Sequence, residues 1–379
     1  MKKSVLLLPG LLVKGLLVLA LAGCHQAQEE TASKGENARQ TQSYEWKMVT
    51  TWPKNLPGLG TAPENLSRMV DKMSGGRLKI RVYGDGEIVP ALEVFNAVSS
   101  GTVQMGHGAA YYWKGKVPAA QFFTAVPFGL TAQEMNGWLY YGGGMALWEE
   151  LYAQYNLVPM AGGSTGVQMA GWFNREINSL QDMQGLKMRI PGMGGEVFSR
   201  IGGSAVNIPG GEIFTSLQTG VIDATEWVGP YNDLALGFYQ QAKYYYYPGW
   251  QEPGPILEII INKNAYESLP EDLKEILRVA SQAINNDMLA EYTARNNAAL
   301  KELVNVHGVQ VKKLPDDVLL ELYKVSHLLI SELAEQDELA QRIYDSYNSY
   351  ASSIIDYHEI TERAYVNSRS LVLSHENQD

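Results

Sequence analysis

One pattern occurs twice in this chain, and a repeat restricts the possible folds more than any single motif. Leu78-Lys79-Ile80-Arg81, then Glu93-Val94-Phe95-Asn96-Ala97-Val98-Ser99-Ser100-Gly101-Thr102-Val103, returns as Leu186-Lys187-Met188-Arg189, then Glu212-Ile213-Phe214-Thr215-Ser216-Leu217-Gln218-Thr219-Gly220-Val221. Each copy reads as strand, helix, glycine turn, strand. A β-α-β unit used twice predicts two similar α/β lobes. A cleft between lobes is where a small ligand binds.

Length agrees with this, since 379 residues allow two domains with a sizeable core. The formal charge is −11, and Lys2, Lys3 and Lys14 belong to an N-terminal stretch without acids, so the remainder is more acidic still. Such a body repels nucleic acid and anionic membrane surfaces. A small anion remains possible, because one arginine in a cleft outweighs distant, screened charge.

The N-terminus has a basic start, an apolar run broken by Pro9 and Lys14, and then Leu21-Ala22-Gly23-Cys24. This predicts a secretory signal over residues 1–23. Lys14 interrupts the run well short of the ~20 apolar residues a membrane span needs. The Leu-Ala-Gly-Cys ending resembles a bacterial lipobox, which implies lipidation at Cys24 and an extracytoplasmic, lipid-anchored protein touching the membrane only through that lipid. Cys24 is the only cysteine, which excludes an internal disulfide, a thiol nucleophile and a thiolate metal site. Residues 24–43 are too polar to order themselves and read as a flexible tether.

The rest divides into a first lobe over 44–160, completed by 255–314, a second lobe over 161–254, and a helical tail over 315–379. Tyr44–Thr51 alternates as a strand. Pro63–Ser74 reads as a helix stopped by Gly75-Gly76, and Leu78–Tyr83 as a strand. Gly192-Met193-Gly194-Gly195 reads as a tight turn before a helix at Glu196, and it lacks the Gly-Lys-Ser/Thr ending of a phosphate loop. Tyr244–Tyr247 reads as a hinge strand with rings alternately buried and exposed. Glu258–Asn262 reads as a strand returning to the first lobe. Leu273, Ile276, Leu277, Ala280, Ile284 and Met288 form the apolar face of a long helix able to span both lobes. The tail predicts helices over 318–335, 338–352 and 354–366.

Signals for catalysis are thin. The histidines show no HExxH or other metal-ligand spacing. Gly162-Gly163-Ser164-Thr165-Gly166 matches the nucleophile-elbow spacing, but a strand rather than a helix is predicted after it, so a glycine turn accounts for it better. His107, between glycines in a strand, reads as a core histidine before it reads as a base. Arg189 ends a strand just before Ile190-Pro191-Gly192, where an α/β lobe faces its ligand crevice, and its guanidinium fork matches a carboxylate. Arg81 holds the same place in the other copy, so physical reasoning alone leaves both open, each with a plain salt bridge as its alternative. Tyr111-Tyr112-Trp113 and Glu226-Trp227 follow equivalent last strands of the two copies, and Gln168 precedes the strand into Gly171-Trp172-Phe173. Aromatic walls, hydroxyl donors and Gln or Glu oxygens suit an anion and a hard cation.

Taken in order, Tyr111-Tyr112-Trp113-Lys114-Gly115-Lys116, Leu186-Lys187-Met188-Arg189, Gln218-Thr219-Gly220-Val221-Ile222-Asp223-Ala224-Thr225-Glu226-Trp227 and Pro248-Gly249-Trp250-Gln251-Glu252 resemble the extracytoplasmic solute-binding proteins of tripartite ATP-independent periplasmic (TRAP) transporters. The branch is the one that binds 2-oxoacids or 2-hydroxyacids. The resemblance spans about residues 44–365. It implies a two-lobed periplasmic-binding-protein-like α/β fold with hinge strands and a long spanning helix. It also implies capture rather than catalysis, and a membrane permease as partner. It selects Arg189 over Arg81 as the clamp for a small organic acid anion, with Tyr111, Tyr112, Gln168 and Trp227 as further contacts. A metal ion, calcium or sodium, is implied beside the ligand, held by Gln168, Glu226, the Trp227 carbonyl and Glu252. Branch members can form homodimers through C-terminal helices, a role for the tail. Two other readings stay on the table: a ligand-presenting sensor subunit of the same fold, and an exported lyase with His107 or Glu226 as base.

Overall fold

The computed structural model describes residues 42–376. The signal segment, Cys24 and all but the end of the tether lie outside the described residues. The chain forms β1 (Tyr44–Thr50), β2 (Leu78–Tyr83), β3 (Met105–Gly108), β4 (Leu157–Ser164), β5 (Gly171–Phe173), β6 (Lys187–Arg189), β7 (Ser204–Val206), β8 (Ala224–Thr225), β9 (Tyr244–Tyr247), β10 (Ile256–Asn262) and β11 (Gln310–Lys313). These build two sheets, in the orders β2-β1-β3-β10-β4 and β11-β9-β5-β8-β6-β7.

The sheets share one plan. In the first, β1 runs parallel to β2 and β3, while β10 is antiparallel to β3 and β4. In the second, β6 runs parallel to β7 and β8, while β5 is antiparallel to β8 and β9. Thus β7-β6-β8-β5-β9 reproduces β2-β1-β3-β10-β4, and each lobe contributes a strand to the other's chain path. The helix Thr61–Met73 joins β1 to β2 as Gly192–Arg200 joins β6 to β7. A single 3₁₀ turn followed by a short helix, Ala91–Glu93 then Val94–Ser99, matches Gly210–Glu212 then Ile213–Gln218. Each closes on a left-handed glycine, Gly101 at φ +78° and Gly220 at φ +72°, a region open to glycine at no steric cost.

This plan corrects the register of the repeat. The helix halves align as the sequence suggests, but the Leu-Lys-hydrophobic-Arg halves do not: Arg189 lies on β6, whose counterpart is β1, whereas Arg81 lies on β2, whose counterpart is β7. A four-residue strand match carries too little information to fix register when every flanking strand is also apolar.

β10 is buried along its whole length, as a strand covered on both faces must be. The long helix Glu271–Asn305, about 52 Å at 1.5 Å per residue, packs on β4 and Thr61–Met73 in one lobe and on Pro230–Leu236 in the other.

Several expectations shift. Gln310–Lys313 pairs with β9 and so belongs to the second sheet, whereas the sequence predicts it in the first lobe with the rest of 255–314. Gly192–Gly195 forms the first turn of its helix instead of a turn before it, because Gly195 and Gly194 let that turn press on the Ile190 carbonyl and the Gln251 side chain. The tyrosine run does not alternate: Tyr245 and Tyr246 are both buried, since β9 lies inside its sheet with both faces covered. The tail helices are Asp316–Ala334, Glu338–Ile360 and Glu362–Glu376; the second runs unbroken through 352–354. The first packs on Gly192–Arg200 of one lobe, the second on Gly144–Ala153 of the other, and the third on the second.

Candidate functional site

The carboxyl ends of four parallel strands converge on one point between the lobes, where open α/β sheets place ligands. Past β1 comes Trp52, and past β3 a 3₁₀ turn, Ala110–Trp113, presents Tyr111 and Tyr112. β6 ends in Arg189, and β8 leads into Glu226 and Trp227. Two crossover segments supply the rest: 165–170, from β4 to β5, carries Gln168, and 248–255, from β9 to β10, carries Glu252. The crossovers touch, with Gln168 N–H donating to the Glu252 carbonyl at 3.2 Å. Gly249 allows this: a Cβ there would meet the Gln168 carbonyl oxygen at 2.1 Å.

Arg189 is 1% exposed. Its Nε donates to the Ile208 carbonyl at 3.1 Å, and its Nη1 to the Glu226 carbonyl at 3.1 Å and to Glu226 Oε1. Nη2 donates to the Tyr112 hydroxyl of the other lobe at 3.2 Å, and the guanidinium lies 4.8 Å from the centre of the Trp227 ring. The Tyr111 and Tyr112 rings meet edge-on at 4.9 Å, and Trp52 lies 6.1 Å from Tyr112 and 6.2 Å from Trp227. Gln168 Nε2 donates to Glu252 Oε2 at 2.8 Å and to Thr165 Oγ1 at 3.2 Å. Lys114 Nζ reaches across the cleft to the Gly192 carbonyl at 3.1 Å.

Three buried oxygens here have no partner: Gln168 Oε1, Glu226 Oε2 and Gln251 Oε1. An unpaired buried oxygen is costly unless a cation or donor meets it. Burial pushes the Glu226 carboxyl up to about 7 despite Arg189. Burial, with Glu226 beside it, drives Glu252 well above the usual carboxylate range. Burial alone would lower Arg189, but Tyr112 and Glu226 more than offset it, so the guanidinium keeps its charge. One fixed cation thus serves two carboxyls that resist ionising together. Hard oxygens from two carboxylates and an amide are the donor set of sodium or calcium, so the residues present fit such an ion. Among the described residues no cluster of three or more His, Cys, Asp or Glu forms.

A small closed cavity of about 10 Å³ lies against this group, lined by Trp52, Leu59, Tyr111, Tyr112, Thr165, Gln168, Trp227, Val228 and Leu257. A far larger cleft, about 940 Å³, opens elsewhere between Gly144–Ala153, β4 and the long helix. It is open to solvent, and its Lys274, Arg278 and Lys263 are each paired with a neighbouring glutamate, so it lacks the convergent buried polar groups of the smaller one.

The structure therefore brings together Arg189, Tyr111, Tyr112, Gln168, Glu226, Trp227 and Glu252. Arg81 is elsewhere, exposed on an edge strand with its guanidinium 5.0 Å from the Tyr83 ring centre. His107 is a core histidine: Nδ1 accepts from Trp52 Nε1 at 2.7 Å, Nε2 lies 3.0 Å from the Gly162 carbonyl, and burial lowers it to about 4. Ser164 ends β4 with no helix behind it. Trp52, Leu59, Thr165, Val228 and Leu257 were missed. Trp52 was within reach, because it lies just past the carboxyl end of β1, the strand that corresponds to β6.

Residues 48–337 match the family model for bacterial extracellular solute-binding protein, family 7. The chain belongs to this family. A monocarboxylate 2-oxoacid-binding periplasmic protein of a Nostoc species is 42% identical over 92% of this chain and 94% of its own length. The solved TRAP solute-binding protein of Pseudoalteromonas atlantica, with bound sodium and pyruvate, is 44% identical at TM-score 0.84, covering 86% of this chain and 99% of that one. A third relative, from Bordetella bronchiseptica, is a mixed-occupancy dimer with copurified calcium and picolinate; it is 37% identical at TM-score 0.87 and covers 89% and 100%. The likeness makes this chain a TRAP-type solute-binding protein with the two-lobed fold, a binding component rather than an enzyme.

Proposed function

We propose that this solute-binding protein captures a small 2-oxo or 2-hydroxy monocarboxylate together with a sodium or calcium ion and hands it to a membrane permease. The observation that carries the reading is Arg189, a fully buried guanidinium of one lobe hydrogen-bonded to Tyr112 of the other. A buried arginine at a lobe interface offers an acid a charge-assisted, forked bond that forms only when both lobes close. Glu226 Oε1 takes part of that fork here, so an incoming carboxylate replaces it. Glu226, Gln168 Oε1, the Trp227 carbonyl and Glu252 would hold the ion, which supplies charge that lets both carboxyls ionise and a second grip on the oxygen beside the acid's carboxylate. Tyr111 and Tyr112 close one side, and Trp227 covers the guanidinium. Closure then follows from the ligand's contacts with both lobes.

The relatives bearing pyruvate or picolinate with sodium or calcium support the ligand class. Leu21-Ala22-Gly23-Cys24 supports a lipid anchor at Cys24. Tyr365, Leu371 and Val372, exposed on the last helix, support a dimer through the tail. The test is thermal melting of the purified protein with pyruvate, lactate and longer 2-oxoacids, each with and without calcium or sodium. A stabilising shift that needs both acid and ion supports the reading, and no shift across the set sinks it.

A further inference from the structure

The proposed grip on a carboxylate and its neighbouring oxygen uses the buried polar groups around Arg189; the wall on the side of the small cavity is largely apolar and limits what may follow them. Trp52, Leu59, Val228 and Leu257 form it, at 2, 1, 4 and 3% exposure, and none can meet a second charge. Leu59 belongs to the 53–60 loop, which both lobes clamp. The Pro57 carbonyl accepts from Asn232 Nδ2 of the second lobe at 2.6 Å and from the Tyr292 hydroxyl of the long helix at 3.3 Å. The single Tyr292 hydroxyl hydrogen is shared, its shorter contact being to Asn232 Oδ1 at 2.5 Å, so the three groups form one knot. Gly58, at φ +67°, lies so close beneath the Tyr292 ring that a Cβ would come within 2.5 Å of it. Gly60 is equally confined by the Pro53 carbonyl oxygen, at 2.5 Å from a Cβ.

We infer that this knotted loop is the chain-length gauge of the site. Leu59 is the specificity-determining wall, Asn232 is the positioning residue that holds it, and the favoured ligand is a monocarboxylate of about three or four carbons. The inference rests on the 2-oxoacid reading above. A longer chain must overpack against Leu59 or hold the lobes apart and undo the Asn232 contact. Either route costs about tenfold in affinity or more once the space is filled, the usual scale for a methylene group in a tight apolar pocket.

The test is calorimetric titration of the full chain, in calcium, with pyruvate, 2-oxobutyrate, 2-oxovalerate and 2-oxohexanoate. Affinity should fall at least about tenfold between 2-oxobutyrate and 2-oxohexanoate. Leu59→Ala should cut that gap to about threefold or less. Asn232→Ala should narrow the gap too, whereas a merely structural role would lower all four affinities in parallel. Leu257→Ala, altering the wall from β10, replaces Leu59→Ala if the latter does not fold. Binding of the series without length dependence, or variants that keep the wild-type gap, overturns the gauge alone. Binding of none overturns the ligand reading and the gauge with it.

Discussion

The two lobes are built to one plan, yet they treat their arginines oppositely. Arg81 sits on an edge strand of the first sheet in solvent, whereas Arg189 sits inside the second sheet beneath Trp227. The strand that corresponds to β6 is β1, and its carboxyl end leads to Trp52. The duplicated frame therefore supplies two crevice-facing strand ends, one carrying a charge and the other an indole that walls it in. Similar sequence around a strand says little about whether that strand is central or at the edge, and position in the sheet decides burial.

The largest effect should separate the two arginines. Arg189→Lys, which keeps the charge but loses the fork, should weaken pyruvate binding by about two orders of magnitude, while Arg81→Ala should stay within about twofold. Calorimetry reads both, and circular dichroism checks that each variant folds. Equal losses would break the contrast.

The lobes can also be compared through their buried acids. Glu258 in the first accepts from Trp113 Nε1 at 2.5 Å and from the Tyr152 hydroxyl at 2.7 Å. Asp233 in the second accepts from Trp172 Nε1 at 2.9 Å and from the Tyr245 hydroxyl at 2.6 Å. Burial pushes Glu258 from 4.5 up to about 7, and Asp233 from 3.8 up to about 6. Folding thus favours the protonated forms. Their contribution is whole below the ordinary pKa values and is lost as pH rises through about 6 and then about 7. For Glu258 the loss is on the order of 3 kcal/mol by pH 8. Chemical denaturation of the ligand-free protein between pH 5 and 8 should show this decline, and Glu258→Gln should flatten much of it.

A smaller effect belongs to His107, which anchors the Trp52 indole. His107→Leu leaves that N–H buried and unpaired and should weaken ligand binding about fivefold. Because burial lowers His107 to about 4, its presence should add no pH dependence to binding between pH 6 and 8. The smallest effect should come from deleting residues 362–379. Affinity should stay within about twofold of wild type, while light scattering reports loss of the dimer. A monomeric wild type would remove the tail's proposed role.

Much of this was legible in the sequence. The repeat gave two lobes because its helix half, with a phenylalanine and a glycine at fixed spacing, carries enough pattern to align; its strand half does not, which is why Arg81 remained a rival until the family resemblance chose. Glu252 lies on a crossover with no periodicity, so only that resemblance pointed to it, whereas Gln168 stood out by its place just before a strand. Leu59 and Val228 look like any core residue in one dimension, and only the closure of one lobe on the other gathers them around the cavity.

The central claim is that Arg189 of one lobe holds an organic acid that the other lobe covers. A crystal structure with pyruvate and calcium tests it most directly. The account expects the carboxylate on the Arg189 guanidinium beneath Trp227, with Glu226 and Gln168 oxygens on the ion. Pyruvate bound at Arg81 or in the open cleft beside the long helix, with Arg189 still paired to Glu226, would contradict it.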